Sequence, residues 1–398
     1  MRGLKSKWHW VLALVVLFFG VLLITRTLSR GDDFLVFYRV TQGFWSGISP
    51  YDVSLYGNMV FKYPPWILPF FLPLGLFSVW SAKLLWGVVQ AVSLIFVVQA
   101  MDQKARVTPW IQILFLGLFF GVIGIHGMVG QISLPLLALA VALDPRLVMS
   151  RRMVFLAWAF SSKIVTLFPL MDPVMKRSDR FRLISASIVV CIVLTFPILI
   201  VSYKGEIWTL GADWLHAMFS GTETLQSVRI GFTSREAQGL PGVLLRFLGL
   251  DETQRLHVIA SVLASILLAF GFWKYLSRSL NSRDRWWGWL ALTPVVQPLA
   301  WFHFFIFAYP VLVAAAYRAW AKKDYVRFGL SIVAGVLVGG ITQKTLGDTG
   351  LALEMLSIKS WGVILGCVIF SQVREPLPTQ TNSQTQVKPT TPTSALTA

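Results

Sequence analysis

Apolar runs of roughly 15–20 residues, each about long enough to cross a bilayer as a helix, alternate with short polar connections along most of this chain. They fall at 8–24, 83–101, 108–125, 130–144, 183–202, 256–276, 286–300, 303–317, 328–342 and 355–371. Lys and Arg cluster between them in six places: Arg2/Lys5/Lys7, Lys104/Arg106, Arg146/Arg151/Arg152, Lys176/Arg177/Arg180/Arg182, Lys274/Arg278/Arg283/Arg285 and Arg318/Lys322/Lys323/Arg327. Two other short connections, His126 to Gln131 and Gln297 to His303, contain neither residue type. Short basic loops stay cytoplasmic, so the six clusters share one side of the membrane. Each interval between clusters then crosses an even number of times.

Two intervals need more than a hydropathy reading. Residues 8–24 leave the cytoplasm and 83–101 return, so the apolar stretch 64–79 does not fully cross. Tyr63-Pro64-Pro65, then Pro69 and Pro73, predicts short helices in the outer interface, because proline interrupts a ladder that lipid cannot repair. The apolar run 153–171 has basic clusters at both ends, so parity splits it into two half-helices broken near Ser161-Ser162-Lys163, ahead of Pro169. The fold expected is all-α and integral to the membrane, with about twelve membrane segments and both termini inside. One polytopic domain spans 1–375. Residues 376–398, rich in Thr, Ser, Pro and Gln, read as a disordered cytoplasmic tail.

Composition agrees: 56% of the 398 residues are hydrophobic, 13% are charged and the mean hydropathy is +0.67, which excludes an ordinary soluble domain. The net charge of +17 does not point to nucleic acid, since its cations sit in membrane-flanking loops. The basic start followed by an apolar run resembles a signal peptide, but the run is long and no small-residue cleavage pattern follows, so it reads as a retained first helix. Cys191 and Cys367 are the only cysteines, and the chain shows no metal-ligand spacing, so neither a disulfide framework, a metal nor a cofactor is expected. No internal repeat of the kind that marks many secondary transporters is present.

The unusual polar residues collect on the outer side. Asp32 and Asp33 lie where the first apolar run ends, and Arg39, Tyr51 and Lys62 follow in the same segment. His126 and Gln131 come from the second outer connection, and Ser161, Ser162 and Lys163 from the helix break. Arg229, Arg235, Glu236, Gln238 and Arg246 belong to the long segment 203–255, and Gln297 and His303 to the next connection. Acids beside hydrocarbon are functional candidates. A carboxylate with cations and aromatic rings suits sugar transfer from a phosphate donor, where a base takes a hydroxyl proton, cations meet the phosphate and rings stack on sugars. A phosphatase or an ion pathway uses the same parts.

Motif order narrows the choice. Asp33-Phe-Leu-Val-Phe-Tyr38, Ser46-Gly-Ile-Ser-Pro-Tyr-Asp52 and Phe61-Lys-Tyr-Pro-Pro65 open the chain. Gly130-Gln-Ile-Ser-Leu134, Ser162-Lys163 with Pro169, Gln238-Gly-Leu-Pro-Gly242 through Arg246, and Pro298-Leu-Ala-Trp-Phe-His303 follow. In this order and spacing, over residues 1 to about 317, they resemble glycosyltransferase family 87, membrane mannosyltransferases of the GT-C superfamily that use polyprenyl-phosphate sugars. Ala237, Gly239 and Ser133 stand where the family has Asn, Ser and Asn, and Phe302 and Phe304 flank His303 where Asp and a second His are frequent. These departures bear on the acceptor and donor sugar more than on the reaction type.

The resemblance implies an inverting transfer with Asp33 as general base and Asp32 as the alternative, a polyprenyl-phosphate sugar as donor and a glycolipid or glycan as acceptor. A base working near neutral pH gains from a raised pKa, which Asp32 and a half-buried setting would supply. Lys163, a lone ammonium in an apolar break, is a candidate for the donor phosphate. His303 reads equally as a phosphate contact or as a hydrogen-bonded interfacial histidine. Arg246, Arg229 and Gln238 are further donor-side candidates. Gln131 either binds a sugar hydroxyl or satisfies backbone. Tyr63, Pro64 and Pro65 are expected to shape the interfacial helix, Asp52 to cap a turn and His126 to be structural. The implied location is the inner (plasma) membrane, with the site facing the periplasm or exterior. Two other classes stay open: a lipid-linked saccharide flippase or transporter, which spreads polar residues along a path through the bilayer, and a lipid-linked glycan ligase or polymerase.

Overall fold

The computed structural model describes residues 2–52, 61, 63–142, 177–220, 234, 237–251, 253–297 and 300–373. Among them are sixteen α-helices and no strand. Helix α1 (Arg2–Ser29) is followed by α2 (Asp32–Trp45), then by a short proline-studded stretch in which α3 (Leu68–Phe71) lies between 3-10 turns Pro65–Ile67 and Leu72–Leu76. Helix α4 (Val79–Ala105) starts at Ser78, whose hydroxyl accepts from the Ser81 amide at 3.3 Å. Helices α5 (Pro109–Leu118), α6 (Phe120–Val129), α7 (Ser133–Ala142), α8 (Arg177–Ser202), α9 (Leu210–Ser220), α10 (Leu240–Phe247) and α11 (Arg255–Leu276) come next. Asn281 caps α12 (Ser282–Val296), and a 3-10 stretch Phe302–Ala308 leads into α13 (Tyr309–Ala321). Helix α14 (Tyr325–Gly335) continues through a π turn, Val336–Gly340, and α15 (Gln343–Met355) and α16 (Ile358–Gln372) complete the fold.

Four stretches are long and apolar enough to cross a membrane: Lys7–Ser29, Val79–Gln103, Leu256–Leu276 and Phe302–Ala321. Two bent pairs raise that number to six if each is one span. The expected short helices after Tyr63 are present as Pro65–Leu76, too short for a crossing. One expected segment is shorter than a span: α12 has 15 residues, against about 20 for a 30 Å core. The expected break at Ser161-Ser162-Lys163 and the tail 376–398 lie outside the described residues.

One helix expected to be continuous is not. The run 108–125 divides at Phe119 into α5 and α6, bent by 62°. The reason is a backbone-to-backbone approach: a Cβ on Gly339 would sit 2.1 Å from the Leu118 carbonyl oxygen, so the π turn after α14 packs against the break. The run 328–342 is continuous from Tyr325 through that π turn to Gly340, and α15 leaves it at 101°. Irregular backbone of this kind is tolerated where protein, not lipid, surrounds it.

Chain direction sorts the helix ends. Helix α1 ends, and α4 begins, at the end that carries Asp32 and Asp33; α6 also ends there, since the Gly31 amide donates to Met128 O at 2.9 Å. At the opposite end, the Arg318 Nη2 donates to Asp284 Oδ1 at 2.8 Å, and Trp110 meets Trp320 edge-on at 5.0 Å. Helix termini bearing Lys274, Arg283, Arg318 and Lys322 gather there.

Candidate active site

Helix α1 stops at Arg30, and Gly31, in a left-handed conformation (φ 62°), turns the chain into α2. Asp32 and Asp33 therefore open a helix instead of merely closing one, in the first turn where the helix dipole favours negative charge. Their surroundings differ. Asp32 faces outward and pairs with Arg30 at 2.6 Å, with about a third of its own side chain exposed. Asp33 is half-buried and accepts a hydrogen bond at Oδ2 from Gln131 Nε2. The Tyr63 hydroxyl donates in turn to Gln131 Oε1 at 3.4 Å. Gln131 thus contacts the acid itself, and Tyr63 joins it through the amide.

Each member of this chain is fixed from beneath. Gly130, at φ 72°, brings Gln131 in so close to α2 that a Cβ there would meet Phe34 Cβ at 2.7 Å. The Gly130 carbonyl accepts from Trp86 Nε1 at 2.8 Å, and Phe34 stacks on the same indole. Phe37 stacks on Phe71 at 4.1 Å and lies 4.9 Å from the Tyr63 ring. Such pairs add about 0.5–1.5 kcal/mol each beyond their buried area. Tyr51 donates to Tyr63 O at 2.8 Å, and buried Pro64 and Pro65 start the 3-10 turn below. Burial, then the Asp33 carboxylate, pushes the Tyr63 phenol above its ordinary value, so it stays a proton donor.

His126 is structural, as the sequence reading has it. Its Nε2 accepts from the Leu134 amide at 2.9 Å, which leaves Nδ1 to donate to Gln90 Oε1 at 2.9 Å and fixes a neutral tautomer. It also joins two parts of the site, since the His303 ring stands edge-on to it at 6.2 Å. His303 is buried between Trp301 and Phe304. Gln238 reaches the same region: its amide donates to Ala300 O at 3.0 Å and its side chain to Glu354 O at 2.6 Å.

Arg246 holds protein. Its guanidinium donates to Ser234 O at 3.0 Å and to Ser357 Oγ at 2.6 Å, and burial pulls it below the ordinary arginine value. Lys163 and Arg229 lie outside the described residues. Sequence reasoning missed Glu354 and Lys359, both about 1% exposed, although a lone lysine in the apolar stretch 355–371 is a signal of the same kind as Lys163.

Fold and site together define a helical membrane protein whose one end holds a carboxylate backed by an amide and a phenol, with a buried histidine nearby. The sequence profile of glycosyltransferase family 87 matches residues 61–293, more than half of the chain, so the protein belongs to that family and is a glycosyltransferase. The match contains Tyr63, Gln131, Lys163, Gln238 and Arg246; Asp33 and His303 lie outside it. No curated protein and no solved structure matches the chain.

Proposed function

We propose that this protein moves a hexose, mannose in the first instance, from a polyprenyl-phosphate sugar to a hydroxyl of a lipid-linked or cell-envelope glycan, with inversion. The observation that carries the reading is the Tyr63–Gln131–Asp33 chain at the end of an apolar bundle in a family of glycosyltransferases. Asp33 takes the acceptor proton as the acceptor oxygen bonds to the anomeric carbon from one face. The bond from that carbon to the phosphate oxygen breaks on the other face, and the polyprenyl phosphate leaves with its electron pair. Gln131 and Tyr63 orient the carboxylate. His303, Lys163, Arg229 and Gln238 are assigned to the donor side, where a cation would meet the departing phosphate, and Arg246, bonded to Ser234 and Ser357, supports that side.

The bilayer fits this donor, because a polyprenyl chain stays in lipid while its head reaches the interface. We place the site on the periplasmic or external face of the plasma membrane, with the basic ends of the helices in the cytoplasm. Polar groups of the site collect at one end of the bundle, which favours transfer over a transport path. Incubating the purified protein with polyprenyl-phosphate mannose and candidate glycolipids tests the assignment. A product heavier by one hexose, absent with Asp33→Asn, is expected; an acceptor that gains nothing from any polyprenyl-phosphate hexose would overturn it.

A further inference from the structure

We propose that the turn Ser357–Ser360, anchored by the buried Lys359, is the positioning element that sets Gln238 and the Trp301–His303 segment at the site; this rests on reading that end of the bundle as the transfer site. The turn lies beyond the matched stretch 61–293. Lys359 Nζ donates to Val338 O at 2.9 Å and Ile341 O at 3.1 Å, carbonyls at the end of the π turn that closes α14. Those oxygens form the negative end of that helix, where a cation belongs. The ammonium also stands 4.6 Å from the centre of the Phe302 ring, the residue before His303. Buried Glu354 supplies negative charge close by and accepts from the Gln343 amide at 3.2 Å, fixing the start of α15.

The neighbours of Lys359 do the gripping. Ser360 Oγ donates to Gln238 O at 2.5 Å, and Glu354 O accepts from the Gln238 side chain. With the Gln238 amide on Ala300 O, the residue is held at backbone and side chain by three segments. Ser357 receives Arg246 at its hydroxyl while in a left-handed conformation (φ 52°), which non-glycine residues adopt only when neighbours hold them there. An ammonium in an apolar helix is expensive, and a methionine would fill the space without that expense. What the lysine adds is a fixed relation between the end of α14, the start of α16 and Phe302. It acts through those groups, so its role is positioning.

The test is amide hydrogen exchange on the purified full chain, beside steady-state kinetics, for Lys359→Met, Ser360→Ala and Ser360→Thr. Exchange in peptides covering 237–246 and 300–306 is expected to rise about five- to fiftyfold in the first two variants, the effect of losing one or two hydrogen bonds on a local opening equilibrium. Peptides from α1 and α4 stay unchanged, kcat falls and donor KM rises, acceptor KM holds, and Ser360→Thr restores wild-type exchange. If Lys359→Met does not fold, Ser360→Ala carries the comparison. Unchanged exchange at 237–246 and 300–306, or equal loosening of α1 and α4, would overturn the proposal. The exchange readout does not depend on the reaction catalysed, so it separates this inference from the transfer assignment, which Asp33→Asn tests alone.

Discussion

Asp33 and Asp32 are adjacent in sequence, and their side chains meet different partners. One is held by Gln131 in a half-buried setting, the other is neutralised by Arg30 at the surface. A surface pair of this kind is worth about 0–1 kcal/mol, so Asp32→Asn is expected to lower turnover less than tenfold. Gln131→Leu removes the amide that orients Asp33 and the acceptor of the Tyr63 hydroxyl. Hydrogen bonds to charged groups are worth about 1.5–3 kcal/mol, so kcat in that variant should drop roughly 10–150-fold with donor affinity kept. Tyr63 gives a pH prediction. Its phenol is raised in the folded protein, so the stabilisation is complete below the unfolded value of about 10 and is lost only as pH climbs past it. Melting curves of wild type and Tyr63→Phe should therefore run parallel from about pH 5 to 9; a gap that widens within that range would contradict it. The adjacency of the two acids was visible in the sequence. What separates them was not, because Gln131 is 98 residues away from Asp33 and only the Gly130 turn against Phe34 brings it there.

Helices carry a second buried charge arrangement, at the end away from the site. Asp284, in the first turn of α12, and Arg318, near the end of α13, are about 2% exposed. Nη2 bonds Oδ1 at 2.8 Å, and Nη1 lies 2.8 Å from Oδ2 but off the angle of a good hydrogen bond. The Arg318 guanidinium also covers the Phe370 ring of α16 at 4.6 Å, so the pair ties three helices together. Asp284→Asn leaves a buried cation without its counter-charge and should destabilise the bundle by about 3–5 kcal/mol, whereas replacing both residues by apolar ones recovers most of that loss. Thermal melts in detergent decide between this and an independent, additive effect. At this scale the prolines were legible, since each removes a donor and shortens the helices after Tyr63. The bend at Phe119 was not. Hydropathy records whether a side chain prefers lipid, and both sides of Phe119 do; the break depends on the approach of Gly339 from more than 200 residues later. Lys359 was overlooked for a related reason: at the start of an apolar run it looks like a flanking charge until the Val338 and Ile341 carbonyls are seen around it.

The molecule as a whole is polarised, with the acid–amide–phenol chain, His303 and the Ser357 turn at one end and the basic helix termini at the other. The alternation of basic and charge-free loops made that polarity readable from the sequence, and the ordered motifs made the family readable. In sealed cells, a cysteine at exposed Thr349 should react with an impermeant thiol reagent from outside and one at exposed Ser282 should not; the reverse pattern would turn the site toward the cytoplasm. The most direct measurement of the central claim is the rate of hexose transfer by purified Asp33→Asn with polyprenyl-phosphate mannose bound at saturation. The substitution removes a proton acceptor and almost no volume. A loss of about 10²–10⁴ in kcat with donor affinity within a few-fold of wild type is predicted for a general base; turnover near the wild-type rate would contradict the mechanism.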